Sequence, residues 1–414
     1  MVSIRRASKH GARRSAAMTL LRRLSVILVI LMTVFTGFGL IIPVLPVVIE
    51  RTQAAPINLG LMLAVYSVMA FALSPWWGHL SDRIGRKPVL IVGLLGFSIS
   101  FILFGLVIHI LWLMYLTRIL AGGFSGAVTS SAMAYVADVT DDEHRTSGMA
   151  LAGMAIGLGF IIGPAVGGLL APLGLRVPFL AAGGVALVNA LWGWATLPHV
   201  AVPASASSGL ADRPSRWAAF AGPVKYLFLV GFVGQFTITS LEGTLQYFEI
   251  AKIGATPQNI GAMLFISGVA GILVQGILVR RYVTQGREMP ALILGLMASG
   301  IGLLLILLSR NFWTATAYLT VFGGGNAVLR PTLQSLITRQ SVVARGLTTG
   351  LMSSFDSLAR ITGPVLATLL FQVAHPLPFI LASGVAFGAL GLICAYRNHT
   401  VPRMRGKDTE PLAD

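Results

Sequence analysis

Twelve long apolar runs follow one another along this chain, and no other feature limits its fold as strongly. They cover residues 24–48, 57–77, 88–108, 111–137, 147–170, 177–197, 224–248, 259–279, 290–309, 312–336, 347–371 and 377–396. About 20 mostly apolar helical residues cross a hydrocarbon core of about 30 Å. Lipid offers no partner to backbone N–H and C=O groups, so only helices or closed barrels satisfy them there. The runs are too long and too continuous for barrel strands. The chain therefore reads as an all-α integral membrane protein with twelve transmembrane helices. Its charged residues make up only 11%, against about 25% in a soluble domain, so a globular surface of this size would go unsolvated.

Charge orients the spans. Of the 30 Lys and Arg residues, 23 fall in the tails and alternate connections that share one side. Only Arg51, Arg176, Lys252 and Arg310 fall on the other, and Arg118, Arg330 and Arg360 lie within spans. Basic connections stay in the cytoplasm, which puts both termini inside. The same distribution removes a nucleic-acid reading of the net charge of +16, because the cations are dealt out between spans rather than gathered on a face. The basic tail 1–23 precedes a run long enough to cross and lacks a small-residue cleavage site, so it reads as a retained start and not a signal peptide. Cys394 stands alone, which excludes an internal disulfide framework and a cysteine metal cluster.

Residues 198–222 are rich in Ala, Ser and Pro and lack apolar periodicity. They read as a cytoplasmic linker between bundles at 24–197 and 223–396, with a tail at 397–414. The halves echo each other: Gly163-Pro164 recurs as Gly363-Pro364, and Gly78 and Arg83 recur weakly as Gly276 and Arg280-Arg281. A parallel six-plus-six repeat of this kind places a substrate site near the bilayer midplane.

Ionisable groups inside a span cost about 2.5–3.5 kcal/mol on insertion scales and are functional candidates by default. Arg118, Glu242, Asp356 and Arg360 are the four that stand out. Asp356 and Arg360 sit one turn apart with the acid first, the favoured order for a helix ion pair. Arg118 has no acid within a turn, so it needs a partner on another helix or a wet cavity. Arg330 lies near a span end, where its side chain reaches the interface; His79 and His109 flank spans. Tyr66, Phe101, Tyr115, Phe236 and Phe355 are packing residues or part of an apolar binding cavity. In the fifth span, Gly159, Gly163, Gly167 and Gly168 clear one face for close helix approach, and Pro164 permits a bend.

The polar run Gly78–Leu90, GHLSDRIGRKPVL, reads as a cytoplasmic loop. Its Gly78, Asp82, Arg83, Gly85 and Arg86 resemble the signature between the second and third helices of the major facilitator superfamily. That resemblance implies a conformational latch in which Asp82, Arg86, Asp138 and Arg345 hold the two halves together on the cytoplasmic side. The GLGFIIGPAVGG stretch resembles the antiporter motif of the same superfamily. With GFGLIIPVLP, LTRILAGGFSGA and YVADVTDDEHR, it is similar to the twelve-helix drug–proton antiporter branch. Tetracycline exporters carry acids where this chain has Val34 and Ser100, which argues against metal–tetracycline export. Multidrug relatives carry an acid matched by Glu242, and another in the tenth helix where neutral Asn326 stands nearest.

The resemblance implies a secondary transporter working by alternating access, with proton-coupled efflux of small hydrophobic or amphipathic compounds. Glu242, Arg118, Asp356, Arg360, Asn326 and Tyr66 are the expected coupling and cavity residues. The expected partners are substrate, protons and the lipid bilayer, for a monomer without nucleic acid, cofactor or metal in the plasma membrane of a bacterium. A proton-independent or sugar/metabolite exporter, and a non-transporting membrane sensor or scaffold, are the competing readings. No nucleophile–base pair or metal-ligand cluster points to an enzyme, and no Walker loop points to ATP.

Overall fold

Glycine and proline punctuate the helices of the described residues. The computed structural model describes residues 24–141, 144–198, 223–278, 287–340 and 345–407. The expected tail 1–23, all of the linker beyond residue 198, and Arg280 and Arg281 lie outside these residues. Helix α1 runs over residues 24–40, turns at 41–44 and continues as Leu45–Arg51. Pro43 has no N–H to donate, and here Ile42 and Val44 bond three residues back, to Gly39 and Ile41 at 3.1 Å.

The remaining helices are α2 (Ile57–Ile84), α3 (Arg86–Leu106), α4 (Leu111–Val139), α5 (Arg145–Leu170) and α6 (Val177–Thr196). Then come α7 (Val224–Ile253), α8 (Pro257–Leu278), α9 (Glu288–Ile306), α10 (Phe312–Gln340), α11 (Arg345–Val373) and α12 (Leu377–Lys407). No strand occurs among the described residues.

The polar run at 78–90 is not a loop. α2 continues through it to Ile84, one residue breaks the chain, and Arg86 opens α3. The break falls at Gly85, whose φ of 100° is open to a residue without Cβ. Pro88 sits in the first turn of α3, where a missing N–H costs nothing. At the other end of the chain, α12 reaches Lys407 and absorbs part of the expected tail.

Ten of these helices are long and apolar enough to cross a membrane. The two that fall short of that measure are α10 and α11, which hold Asn326, Arg330, Asp356 and Arg360. Large apolar side chains face outward, among them Trp112, Leu169, Trp194, Trp313 and Val373, as a lipid-facing surface requires.

Packing divides the chain into two compact units, Met1–Val44 with Val68–Ser208, and Leu45–Ser67 with Gly209–Asp414. Residues 45–67 thus group with the second unit and not with the bundle at 24–197. In the first unit α3 packs on α4 and α6, with Ser98 donating to the Gly183 carbonyl at 2.7 Å. The Trp77 indole donates to Gly123 at 2.8 Å and ties α2 to α4. In the second unit α7 packs on α11 and α12, and α9 on α10, around a core that includes Phe228, Leu296, Leu333 and Ile393.

Candidate transport site

Glu242 occupies a half-buried position on α7, between the hydroxyl-bearing turn of Thr239 and Ser240 and Gly243. α7 holds this position by close contact with α11. Thr239 donates to the Ala359 carbonyl at 3.0 Å. A Cβ on Gly363 would lie 2.3 Å from Thr239 Oγ1, and one on Gly243 would lie 3.3 Å from Pro364 Cα. That approach brings Arg360 of α11 to the acid: among the described residues, its charge is the one that acts on Glu242.

Arg360 also acts on Asp356, four residues earlier. The expected i, i+4 pair of Asp356 with Arg360 is not the ion pair that forms, however. Asp356 Oδ2 accepts from Arg330 of α10 at 3.1 Å. Arg330 therefore reaches a neighbouring helix while its own side chain stays 69% exposed. The second unit thus holds a chain of alternating charge, Glu242–Arg360–Asp356–Arg330, drawn from α7, α11 and α10. Two acids and two guanidiniums balance, with Asp356 enclosed and Arg330 open to the outside, and a pairing of this kind is how an enclosed charge is tolerated.

Asn326, one turn before Arg330, is buried and donates to Ser299 Oγ at 2.9 Å; its Oδ1 has no hydrogen-bond partner among the described residues. Tyr66 belongs to the same unit and is half-buried. Phe236 is buried beside Gly363, and Phe355 stacks on Phe228 at 5.9 Å.

Arg118 lies in the first unit. It is fully enclosed, with its guanidinium 4.3 Å from the centre of the Phe104 ring and 5.4 Å from that of Phe101. Cation–π contact stabilises a desolvated guanidinium in such a setting.

The signature residues also gather within that unit. Arg86 bridges Asp82 at the end of α2 and Asp138 at the end of α4, the latter from Nε at 2.7 Å. Arg83 is exposed and Gly78 faces open space. Arg345 opens α11, but its side chain lies outside the described residues. Lys87 donates to the Leu197 carbonyl at 2.6 Å and closes the end of α6.

The small face of α5 lies on α1. A Cβ on Gly159 would meet the Met32 carbonyl at 2.4 Å, one on Gly163 the Thr36 carbonyl at 2.6 Å, and one on Gly167 the Leu40 carbonyl at 2.0 Å. Pro164 and Gly168 are buried in the same turns.

One acid escaped the reading of the sequence. Glu249, near the end of α7, is completely buried and its Oε1 lies 3.0 Å from Ser309 Oγ. The apolar run 224–248 stops one residue short of Glu249, whereas α7 extends to Ile253.

Helices long and apolar enough to cross a membrane, with ionisable groups held among them, are the parts of a membrane transporter. The sequence profile of the Major Facilitator Superfamily matches residues 27–285 and 227–413, and the chain belongs to that superfamily. It is 30% identical to Multidrug resistance protein 2 of Bacillus subtilis over 372 residues, 88% of this chain and 92% of that one. It is 26% identical over 371 residues to Quinolone resistance protein NorA of Staphylococcus aureus, covering 88% and 94%. Among solved structures, the human organic anion transporter MFSD10 (TETRAN) superposes with a TM-score of 0.67 at 24% identity, over 90% of this chain and 99% of that one. A bacterial homologue of the human lysosomal transporter Spinster superposes with a TM-score of 0.73 at 13% identity, over 94% and 98%. These two likenesses describe the fold. The protein is a multi-pass membrane transporter of small molecules and not an enzyme.

Proposed function

We propose that this transporter exports small hydrophobic or amphipathic compounds across a bacterial plasma membrane in exchange for protons, by alternating access, with Glu242 as the coupling carboxyl. The observation that carries the reading is the sharing of Arg360 between Glu242 and Asp356. Asp356 keeps Arg330 whichever way Arg360 leans. Glu242 has no such reserve, so when Arg360 turns to Asp356 the acid needs a proton or a bound cation. Proton and substrate then compete for one carboxylate, and that competition is the requirement of an antiporter.

The names of the multidrug and quinolone resistance relatives support the class of cargo. The excess of Lys and Arg on one side supports cytoplasmic termini. In this reading the bundles at 24–197 and 223–396 move about the linker as a monomer. Asp82, Arg86 and Asp138, together with Arg345, form the cytoplasmic latch.

The test is substrate-induced proton movement in proteoliposomes. Glu242→Gln fixes the protonated form, so a lipophilic cationic probe still binds while coupled proton movement collapses. Full coupling in that variant removes Glu242 from the mechanism and shifts it to Asp356. Flux indifferent to an imposed pH gradient in the unsubstituted protein selects the proton-independent exporter, and absence of any flux selects the sensor.

A further inference from the structure

Glu249 is the most enclosed acid among the described residues, with 0% of its surface exposed. It lies four residues from the end of α7, about 6 Å inside it. Oε1 is 3.0 Å from the hydroxyl of Ser309, in the connection between α9 and α10. Oε2 has no hydrogen-bond partner among the described residues. Lys252, the cation whose charge acts on it, is engaged elsewhere: its Nζ donates to the Leu307 carbonyl and rests 5.1 Å from the Phe248 ring. The other titratable groups toward this end are Glu50, which acts on Tyr247, Arg51 at the end of α1, Arg310 before α10, and His375 after α11, stacked on Phe371.

The placement of one hydrogen separates the two protonation states. Ser309 Oγ is 2.8 Å from the Ile306 carbonyl as well as 3.0 Å from Glu249 Oε1. A serine hydroxyl has one hydrogen to donate, and a carbonyl only accepts. With that hydrogen on Ile306, the contact to Glu249 is a hydrogen bond only if the carboxyl carries the proton and donates it to Oγ. An ionised carboxylate would instead take the Ser309 hydrogen on Oε1, leaving the Ile306 carbonyl the Ser309 N–H at 3.1 Å. Oε2 would then be a charged oxygen enclosed without a donor among the described residues, which costs far more than a neutral one.

Glu249 is also aligned with the coupling acid. Seven residues fall about 20° short of two turns, so Glu242 and Glu249 share a face of α7. Gln246 stands between them on that face, with its Oε1 buried and without a partner among the described residues.

We propose that Glu249 is a second proton-binding carboxyl of this transporter, protonated in the present conformation and held by Ser309. On its release the proton passes from the carboxyl to water at the outer end of α7, and the Ser309 hydrogen swings from the Ile306 carbonyl, which keeps the Ser309 N–H, to the new carboxylate. No other bond changes. The proton binding itself does not depend on the export reading; only its use in transport rests on that reading, with Glu249 at the outer end of α7.

The test is infrared difference titration of the purified full-length protein in lipid nanodiscs, which requires no transport. At neutral pH the protonated-carboxyl carbonyl band of Glu249 is lost in Glu249→Gln and persists in Glu242→Gln. Ser309→Ala removes the acceptor of the protonated form, so the band disappears at lower pH than in the unsubstituted protein, and Ser309→Thr restores it. If Glu249→Gln does not fold, the Ser309 pair still decides. An unchanged band in Glu249→Gln overturns the proposal. So does a Ser309→Ala shift to higher pH, which marks an ionised carboxylate accepting from the hydroxyl.

Discussion

Arg86 spends one guanidinium on two carboxylates, and their exposure ranks them. The arginine side chain is 11% exposed, Asp138 20% and Asp82 46%. An exposed pair contributes about 0–1 kcal/mol, whereas a charge-assisted bond with little solvent around it contributes about 1.5–3 kcal/mol. Asp138→Asn is therefore expected to lower the melting temperature in detergent more than Asp82→Asn does. Equal losses would show that burial does not decide this cluster. Asp82, Arg86 and Asp138 were all legible in the sequence, because a charged signature between apolar runs has few places to go. The partner of Asp356 was not. The i, i+4 rule speaks for an isolated helix, and it is the packing of α10 on its neighbours that carries Arg330 to this acid.

Helix α5 offers two kinds of glycine on one element. Gly167 faces α1, where a Cβ would meet the Leu40 carbonyl at 2.0 Å, while Gly157 has nothing within 4 Å. A main-chain oxygen has no rotamer in which to yield, so Gly167→Ala is expected to cost about 1–3 kcal/mol, as overpacking does. Gly157→Ala relieves the entropy of a helical glycine and is expected to gain about 0.5–1 kcal/mol. Thermal unfolding of the two variants checks both signs, and a loss in Gly157→Ala comparable to that in Gly167→Ala would contradict the assignment of faces. The small-residue period of this helix was readable without coordinates, since lipid leaves close approach as a main source of helix association. Element ends were less so. The run at 78–90 looked like a loop because it is polar, yet polarity at a membrane face does not stop a helix. Only Gly85 did.

Two sets of contacts repeat across the halves. Gly163 of α5 meets α1 at Thr36 and Gly39, and Gly363 of α11 meets α7 at Phe236, Thr239 and Ser240. Ser98 of α3 donates to Gly183 of α6, while Ser383 of α12 donates to Gly300 of α9, so the same bond is made from opposite partners. The repeat does not make the halves independent. α1 and α2 each pass from one compact unit into the other, at residues 44–45 and 67–68, and the linker is the third crossing. Gly60 of α2 anchors the transferred segment: a Cβ there would lie 2.2 Å from Thr368 Oγ1 and 2.5 Å from the Pro364 carbonyl of α11. Cutting the chain at a protease site inserted in 198–222 therefore leaves two of the three crossings uncut. The cut protein is expected to run as one particle on size exclusion in mild detergent. Gly60→Leu forces a side chain into backbone that cannot move aside, so after the same cut the fragment ending in the linker should separate from the rest. Separation without the substitution, or a cut Gly60→Leu protein that stays whole, would show that the segment 45–67 is not what joins them.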